Sequence, residues 1–465
     1  MSGITIRSEI TDKIIAIVGE KNVFSDAESL LHYSHDETED LSFIPDLVVK
    51  PGSPEEISEI VKLCNEFKIP LTPRGAGTGL SGGALPIHKG IVLSMERFNR
   101  ILNIDEKNFQ ATLETGVITQ VFQETVMKKG LFYPPDPSSR GSCFIGGNLA
   151  ESSGGPKAVK YGVTKDYVLN LEVILPTGEI IWTGANVLKN TTGYNLTQLM
   201  IGSEGTLGII TKVVVKLLTC PTKDIVMLIP FRSSEQACEA VNAILLSGVQ
   251  PSALEFMERD AIIWSARYLG LDMQVADDIM AHLLVEVDGN DMDALQKDAE
   301  KIYEVVSAFD IEEPLLGDTS QQKEDLWKLR RNVAHAVKAN SVYKEEDTVV
   351  PRAALPDLIK EIKKIGKDYN FHTVCFGHAG DGNLHIFILK KDQSDEDWKT
   401  KVPEGIKELF RKTVALGGTI SGEHGIGYVQ KPYIGIALGD KQIQLMKAIK
   451  LAFDPNNILN PGKIF

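Results

Sequence analysis

The sequence contains no Cys-x-x-Cys pair, and its five cysteines (Cys64, Cys143, Cys220, Cys238 and Cys375) are scattered. That pattern gives zinc ribbons and cysteine-ligated iron–sulfur clusters no support, and it suits a reducing compartment. Basic charge is also short. Against 63 Asp and Glu stand 49 Lys and Arg, a net charge of −14, so neither nucleic acid nor an anionic membrane is expected as the main partner. No stretch reaches the roughly 18 uncharged apolar residues of a transmembrane segment. The N-terminal "MSGITIRSEITDKIIAIVGE" breaks its apolar residues with charges, unlike a signal peptide. No internal repeat is visible. These absences describe a cytoplasmic protein. Its 465 residues exceed one hydrophobic core, so two or three domains are expected.

Glycine, by contrast, is concentrated. "PRGAGTGLSGGALP" (Pro73–Pro86) holds Gly75, Gly77, Gly79, Gly82 and Gly83 and no carboxylate. Glycine lets backbone N–H groups approach a ligand closely, and runs of this kind cradle phosphate. The flanks exclude two familiar motifs. Upstream, Ser53 can cap a helix with Pro54 in its first turn and Glu56 completing a capping box. Ile57, Ile60, Val61 and Cys64 follow at helical spacing. "IPLT" then reads as a short strand, and Ile91–Leu93 as the next one. A Rossmann fingerprint would need a third glycine where Leu80 stands and a helix after it. A P-loop would need lysine where Gly83 stands. Two further small-residue runs follow, "PPDPSSRGSCFIGGNLAESSGG" (Pro134–Gly155) and "TTGYNLTQLMIGSEGTLGII" (Thr191–Ile210). Between them "YVLNLEVILPTGEII" reads as strand, turn at Pro176–Gly178, and strand. Three such loops on one strand-rich platform suit a dinucleotide-sized, multi-phosphate ligand.

These three runs and the C-terminal "DPNNILNPGKIF" resemble the FAD-linked oxidases of the vanillyl-alcohol-oxidase type, and within them the D-2-hydroxy-acid dehydrogenase branch, from about residue 40 to the end. The resemblance implies an α+β architecture: a two-lobed FAD-binding domain over 1–219, an α+β substrate domain with an antiparallel sheet over 220–420, and a segment, 421–465, returning to the flavin. It places the pyrophosphate on Arg74, Gly75, Ala76, Gly77, Thr78 and Gly79. It borders the flavin ring with Pro135, Gly146, Gly147, Asn148, Ser153 and Gly154. It puts Glu204, Gly205 and Ile210 near the adenosine and brings Asn460 to the isoalloxazine. Some relatives attach FAD covalently through a histidine in the first loop region. Here only His88 is nearby, beyond the motif, so FAD is expected to be non-covalent.

A second constellation uses three of nine histidines. His378 and His385 lie in "GHAGDGNLH", and His424 follows Glu423 in "SGEHGIG". Fully extended, the seven residues from His378 to His385 span about 23 Å. A turn at Gly380–Asp381–Gly382 could fold the two together. From these residues alone, two unrelated hydrogen-bonded histidines are an equal reading; as a ligand set they suit Zn, Mn or Fe. In metal-dependent members of the resembled branch both histidines and the later glutamate are ligands. That implies His378, His385 and Glu423 as metal ligands and His424 as the catalytic base. Oxidising a 2-hydroxy acid removes a hydroxyl proton and sends the Cα hydride to flavin N5. A divalent ion lowers the hydroxyl pKa, and a neutral histidine takes the proton. The substrate carboxylate wants a guanidinium fork. "EDLWKLRRNVAHAVK" reads as one helix carrying Arg330 and Arg331. The resemblance aligns its carboxylate-binding arginine with Arg330, although Arg331 stands where a glutamate commonly follows. Arg352 and Lys344 are weaker candidates.

The expected substrate is small, D-lactate or glycolate, with D-2-hydroxyglutarate as the alternative. Dicarboxylate-using relatives tend to carry a polar residue two places after the second histidine, and here Phe387 stands there. An ether-lipid-synthase reaction on the same scaffold and a substrate-free electron-transfer subunit are the remaining readings. No acceptor is encoded. Electrons would leave to an electron-transfer flavoprotein, an iron–sulfur subunit, or quinone through peripheral contact with the inner membrane. A homodimer is compatible with all of this.

Overall fold

The computed structural model describes residues 6–465; the first five residues of the N-terminal stretch read above lie outside them. The chain forms two compact units. One takes the chain through Gly154, then Val163–Cys220 and Glu423–Phe465; the other takes Gly155–Gly162 and Pro221–Gly422.

The first unit holds two main sheets. Strands β1 (Val23–Phe24), β2 (Leu47–Val49), β3 (Leu71–Arg74) and β4 (Ile91–Ser94) lie in the order β1-β2-β4-β3. β2, β4 and β3 run parallel, and β1 is antiparallel. The helix Pro54–Phe67 makes the crossover from β2 to β3. Ser53 caps it, accepting from the Glu56 N–H. The expected capping box is displaced by one residue, because the Glu56 carboxylate accepts the Gly52 N–H at 2.6 Å instead of that of Ser53. Ile57, Ile60, Val61 and Cys64 are fully buried against Ile14, Leu47, Leu71 and Leu93. The strand read in "IPLT" begins only at Leu71, while the Pro70 carbonyl accepts from Ile91 N at 2.9 Å. No helix lies between Arg74 and β4.

The second sheet is antiparallel throughout. It orders β5 (Ile101–Asp105), β6 (Gln110–Glu114), β8 (Val168–Ile174), β9 (Ile180–Trp182) and β10 (Ile209–Lys216) as β5-β6-β10-β8-β9. β7 (Leu131–Phe132) and β11 (Leu218–Thr219) pair separately.

The other unit is built on one seven-stranded sheet. Its strands are β12 (Lys223–Phe231), β13 (Ala253–Glu258), β14 (Ala281–Gly289), β15 (Leu315–Leu316), β16 (Tyr343–Val349), β17 (His372–Gly377) and β18 (Asn383–Leu389), in the order β15-β12-β14-β13-β17-β18-β16. Every pairing is antiparallel. The stretch read as one helix is two, Ser320–Arg331 and Val333–Asn340. Asn332 breaks it at φ −97°, ψ 3°, and its side-chain amide donates to the Lys328 carbonyl at 2.9 Å. Asparagine competes with helical hydrogen bonding in this way. The break leaves Arg330 in a last helical turn. Among the described residues no helix is long and apolar enough to cross a membrane.

Candidate functional site

Functional side chains gather in both units, and each grouping is built by its own fold. In the first unit the three glycine-rich loops converge. A Cβ on Gly75 would lie 3.8 Å from Gly147 N and from Phe144 Cβ, so the first loop rests on the second. A Cβ on Gly205 would lie 3.5 Å from Pro73, and Gly202 N and Glu204 N donate to the Leu149 and Ala150 carbonyls at 2.9 and 3.0 Å. The third loop thus closes on both others. Gly79 and Gly147 have open space where a Cβ would stand. Ala76 and Thr78 are half-buried between the glycines.

Gly77 has φ 77°, and a Cβ there would overlap the guanidinium of Arg74, which folds back under the loop. Arg74 is buried and stacks 5.5 Å over the Tyr33 ring. Its Nη1 meets no partner, nor do the buried Ser81 Oγ, Asn148 Nδ2, Glu151 Oε2 and Ser152 Oγ around the same loops. Leaving a buried polar group unmet costs about 1–3 kcal/mol. Five of them, with open backbone beside Gly79 and Gly147, fit a polar, phosphate-bearing cofactor.

The remaining predicted cofactor residues line these loops. Gly146 N donates to Thr115 O at 2.7 Å, and Thr115 Oγ1 donates to Ile210 O at 2.9 Å. Pro135 is buried, its carbonyl accepting from Gln123 Nε2 at 2.8 Å. Ser153 N donates to Asn148 O at 2.9 Å. A Cβ on Gly154 would stand 3.0 Å from Glu423 Oε2, which puts Glu423 against the second loop. Asn460 Nδ2 donates to Glu204 O at 2.8 Å and to Gly83 O at 2.9 Å, which ties the C-terminal segment to the third and first loops. His88 lies against Gly462.

Two groups escaped sequence reading here. Glu151 is packed with Glu204 around Gly425, where a Cβ would overlap the Glu151 carboxylate. Burial, with Glu204 and Asp36 as acidic neighbours, pushes the Glu151 carboxyl well above the usual range. Burial also raises Glu204, although it accepts from Ile426 N at 2.9 Å and Gly427 N at 2.7 Å. Lys463 Nζ donates to Leu85 O at 2.6 Å, and burial pushes its pKa down to about 8.

In the other unit the β17–β18 hairpin carries both histidines. His378 follows β17, a single 3₁₀ turn spans Ala379–Asp381, and β18 delivers His385. Gly382 closes the turn at φ 79°, where a Cβ would overlap the Val350 carbonyl. The two rings lie 5.5 Å apart at 86°, with nitrogens within 4.8 Å of each other. His378 Nδ1 faces Glu255 Oε2 at 2.9 Å. The same Oε2 lies 2.7 Å from Arg330 Nη2. Burial would raise the Glu255 pKa, but His378 and Arg330 outweigh it and hold the carboxyl below its ordinary value. A histidine fixed through Nδ1 presents Nε2 to a ligand, the arrangement metal-binding histidines use. The donor set therefore fits a divalent cation.

Arg330 is 2% exposed, its guanidinium lies 5.0 Å over the Phe376 ring, and its Nε has no partner. Arg331 stacks 4.9 Å over Trp327 outside this cluster. Arg352 is exposed and donates to Gly380 O at 2.5 Å; Lys344 is half-buried on β16. Asp347 accepts from Asn383 Nδ2 and Gly422 N, both at 2.6 Å. It fixes the chain immediately before Glu423 and His424, which open the last segment of the first unit. Glu255, Glu345 and Asp347 were not found from sequence. Only Glu255, flanked by Leu254 and Phe256 in the strand "ALEFME", offered a signal.

Known proteins share this fold and much of this sequence. The "FAD binding domain" family matches residues 45–184, and "FAD linked oxidases, C-terminal domain" matches 220–464. The chain is 39% identical to glycolate oxidase subunit GlcD of Bacillus subtilis, over 99% of this chain and 97% of that one. It is 40% identical to a D-lactate dehydrogenase of Anaerostipes hadrus, over 90% of this chain and 89% of that one. Among solved structures, p-cresol methylhydroxylase superposes with a TM-score of 0.80 at 18% identity, covering 99% and 97% of the two chains. Two-domain α+β architecture of the vanillyl-alcohol-oxidase type and full-length similarity lead to one conclusion: the chain belongs to the FAD-linked oxidases.

Proposed function

We propose that this protein is an FAD-dependent, metal-assisted dehydrogenase of a small D-2-hydroxy acid, D-lactate or glycolate. The observation that carries the reading is the Arg330–Glu255–His378 arrangement beside His385: a buried guanidinium with an unmet Nε and one of two neighbouring imidazoles, both held by one carboxylate. The names of the relatives, glycolate oxidase and D-lactate dehydrogenase, support the substrate class.

Non-covalent FAD on the converging loops would supply the hydride acceptor, and a divalent cation held by His378, His385 and Glu423 would supply Lewis acidity toward the substrate hydroxyl. Arg330 takes the substrate carboxylate through a charge-assisted fork. Glu255 keeps Arg330 and the His378 ring in place. His424 accepts the hydroxyl proton on a ring nitrogen. Electrons then pass to a separate acceptor. The alternative, D-2-hydroxyglutarate, is disfavoured by the wall beyond His385. Phe387 is fully buried and packs 5.4 Å from Phe376 and 5.2 Å from Tyr343.

Anaerobic mixing of purified protein with D-lactate, L-lactate, glycolate and D-2-hydroxyglutarate, followed by flavin absorbance, tests the reading. Bleaching by D-lactate or glycolate, with L-lactate inert, is expected. An unbleached flavin with all four would overturn it.

A further inference from the structure

The sheet face that carries His385 ends in an acid. In the β16–β18 register Asp347 stands opposite His385 and Glu345 opposite Phe387. On the other side of β18, Phe376 stands opposite His385. Residues paired across strands share a face. The Glu345 side chain is 6% exposed, and its Oε1 lies 4.0 Å from His385 Nδ1. Asp347, its neighbour on that face, is engaged by Asn383, Ser421 and Gly422 and serves the backbone. At the far side of the same face the Arg330 guanidinium covers Phe376. Phe376 is two strands away from β16, so the two positions are separated by roughly 10 Å of sheet. His385 lies between a buried cation and a buried acid.

We infer that Glu345 is a specificity-determining residue that rejects a second carboxylate on the substrate. The inference rests on the proposed 2-hydroxy-acid chemistry and narrows it. With the C1 carboxylate on Arg330, the rest of the substrate extends past His385 toward Glu345. In D-lactate that end is a methyl group, which carries no charge for Glu345 to oppose. In D-malate or D-2-hydroxyglutarate it is a carboxylate, brought against a like charge in a site with little water to screen it. Like-charge juxtaposition across a binding surface is a strong device against wrong partners. The same acid tolerates a neutral or cationic substrate end.

The test compares wild type with Glu345→Gln, which keeps size and removes charge. Two quantities are measured: kcat/KM for D-lactate and D-2-hydroxyglutarate from anaerobic flavin reduction, and the affinities of the products pyruvate and 2-oxoglutarate from perturbation of the oxidised flavin spectrum. Glu345→Gln should raise the 2-hydroxyglutarate-to-lactate ratio at least tenfold, chiefly through KM, and shift the 2-oxoglutarate-to-pyruvate affinity ratio in the same direction. Unchanged ratios would overturn the inference. So would loss of bound metal together with turnover of both substrates, which would make Glu345 a ligand. If no hydroxy acid reduces the wild-type flavin, the reaction assignment fails, while the product-affinity ratio still decides the role of Glu345. Flavin content and unfolding midpoint report on folding, and Glu345→Thr, a good strand former, repeats the measurement should the glutamine variant not fold.

Discussion

Arg330 and His378 share one carboxylate. Glu255 Oε2 lies 2.7 Å from Arg330 Nη2 and 2.9 Å from His378 Nδ1, and its side chain is 1% exposed. Arg330 and His378 are both held by this carboxylate, so two different tasks, carboxylate recognition and imidazole orientation, depend on a single strand residue.

This sharing makes Glu255 a positioning residue with a double phenotype. Glu255→Gln removes the charge that fixes both partners. A hydrogen bond to a charged group contributes about 1.5–3 kcal/mol, so catalytic efficiency should fall roughly ten- to hundredfold with FAD still bound. KM should rise, because Arg330 loses its orientation, and bound metal should fall, because His378 does. Arg330→Ala should raise KM and leave metal content near wild type, and Arg331→Ala should do neither. Steady-state kinetics beside elemental analysis separate the three. A loss of activity in Arg331→Ala alone would place the carboxylate on the wrong arginine.

The flavin loops lead to a sharper expectation than their glycine content suggests. Gly77→Val forces a Cβ into the space of the Arg74 guanidinium at a φ of 77° that valine resists. The variant should purify with little FAD, and added FAD should restore little. Gly79→Ala, with nothing within 4 Å of its Cβ, keeps the loop's own packing intact, so any loss of flavin there measures how closely the cofactor approaches the backbone. Acid or heat should release FAD from wild type, as absorbance of the supernatant would show. Flavin that stays on the denatured chain would refute non-covalent binding.

How much of this was legible in the sequence depends on what kind of signal each residue left. The loops were legible because small residues are rare in such density, and the hairpin because Gly380 and Gly382 flank an obvious turn between two histidines. The α+β architecture was implied by the resemblance to the FAD-linked oxidases, with the helix at Pro54 and the strands around the loops read from local pattern. Glu255 and Glu345 left no such trace, since an acid in an apolar strand carries no spacing and acquires meaning only from the strand beside it. The same holds for Glu151 and Lys463, which become a buried polar group only when Gly425 and Leu85 are brought to them. The single helix read across Arg330 failed at Asn332, whose side-chain amide and backbone N–H both donate to the Lys328 carbonyl where the helix ends. The contact of Asn460 with Glu204 spans 256 residues, and no local pattern reveals it.

Metal ligation and proton abstraction should separate between neighbours. Glu423→Gln keeps size and loses the anion. Metal content should drop, and added Zn²⁺ or Mn²⁺ should recover part of the rate. His424→Ala should keep its metal while anaerobic flavin reduction slows by roughly 10²–10⁴-fold, the usual contribution of a positioned acid–base group. His378→Ala and His385→Ala should follow the glutamate variant. Metal lost from His424→Ala but kept in Glu423→Gln would reverse the two assignments.

A histidine outside the proposed chemistry sets an acid limit on the second unit. His282 is 2% exposed on β14, paired across the sheet with Pro230 and Met257, and its Nδ1 has no partner. Burial, aided by the Arg259 charge, pushes its pKa down to about 4 from 6.5. Between those values the unfolded chain binds a proton that the folded chain refuses, so stability falls as pH drops. Above pH 6.5 the group contributes no pH dependence, and below about 4 both states are protonated and the slope ends. Each unit of depression corresponds to 1.36 kcal/mol, so the full penalty is about 3 kcal/mol, and roughly 2 kcal/mol of it is felt by pH 5. His282→Leu should remove the penalty. Its unfolding midpoint should decline less than that of wild type between pH 7 and pH 5, whatever the offset between the two proteins at neutral pH. Parallel midpoint curves over that interval would show that His282 is protonated in the folded protein after all, and that the strand accommodates its charge.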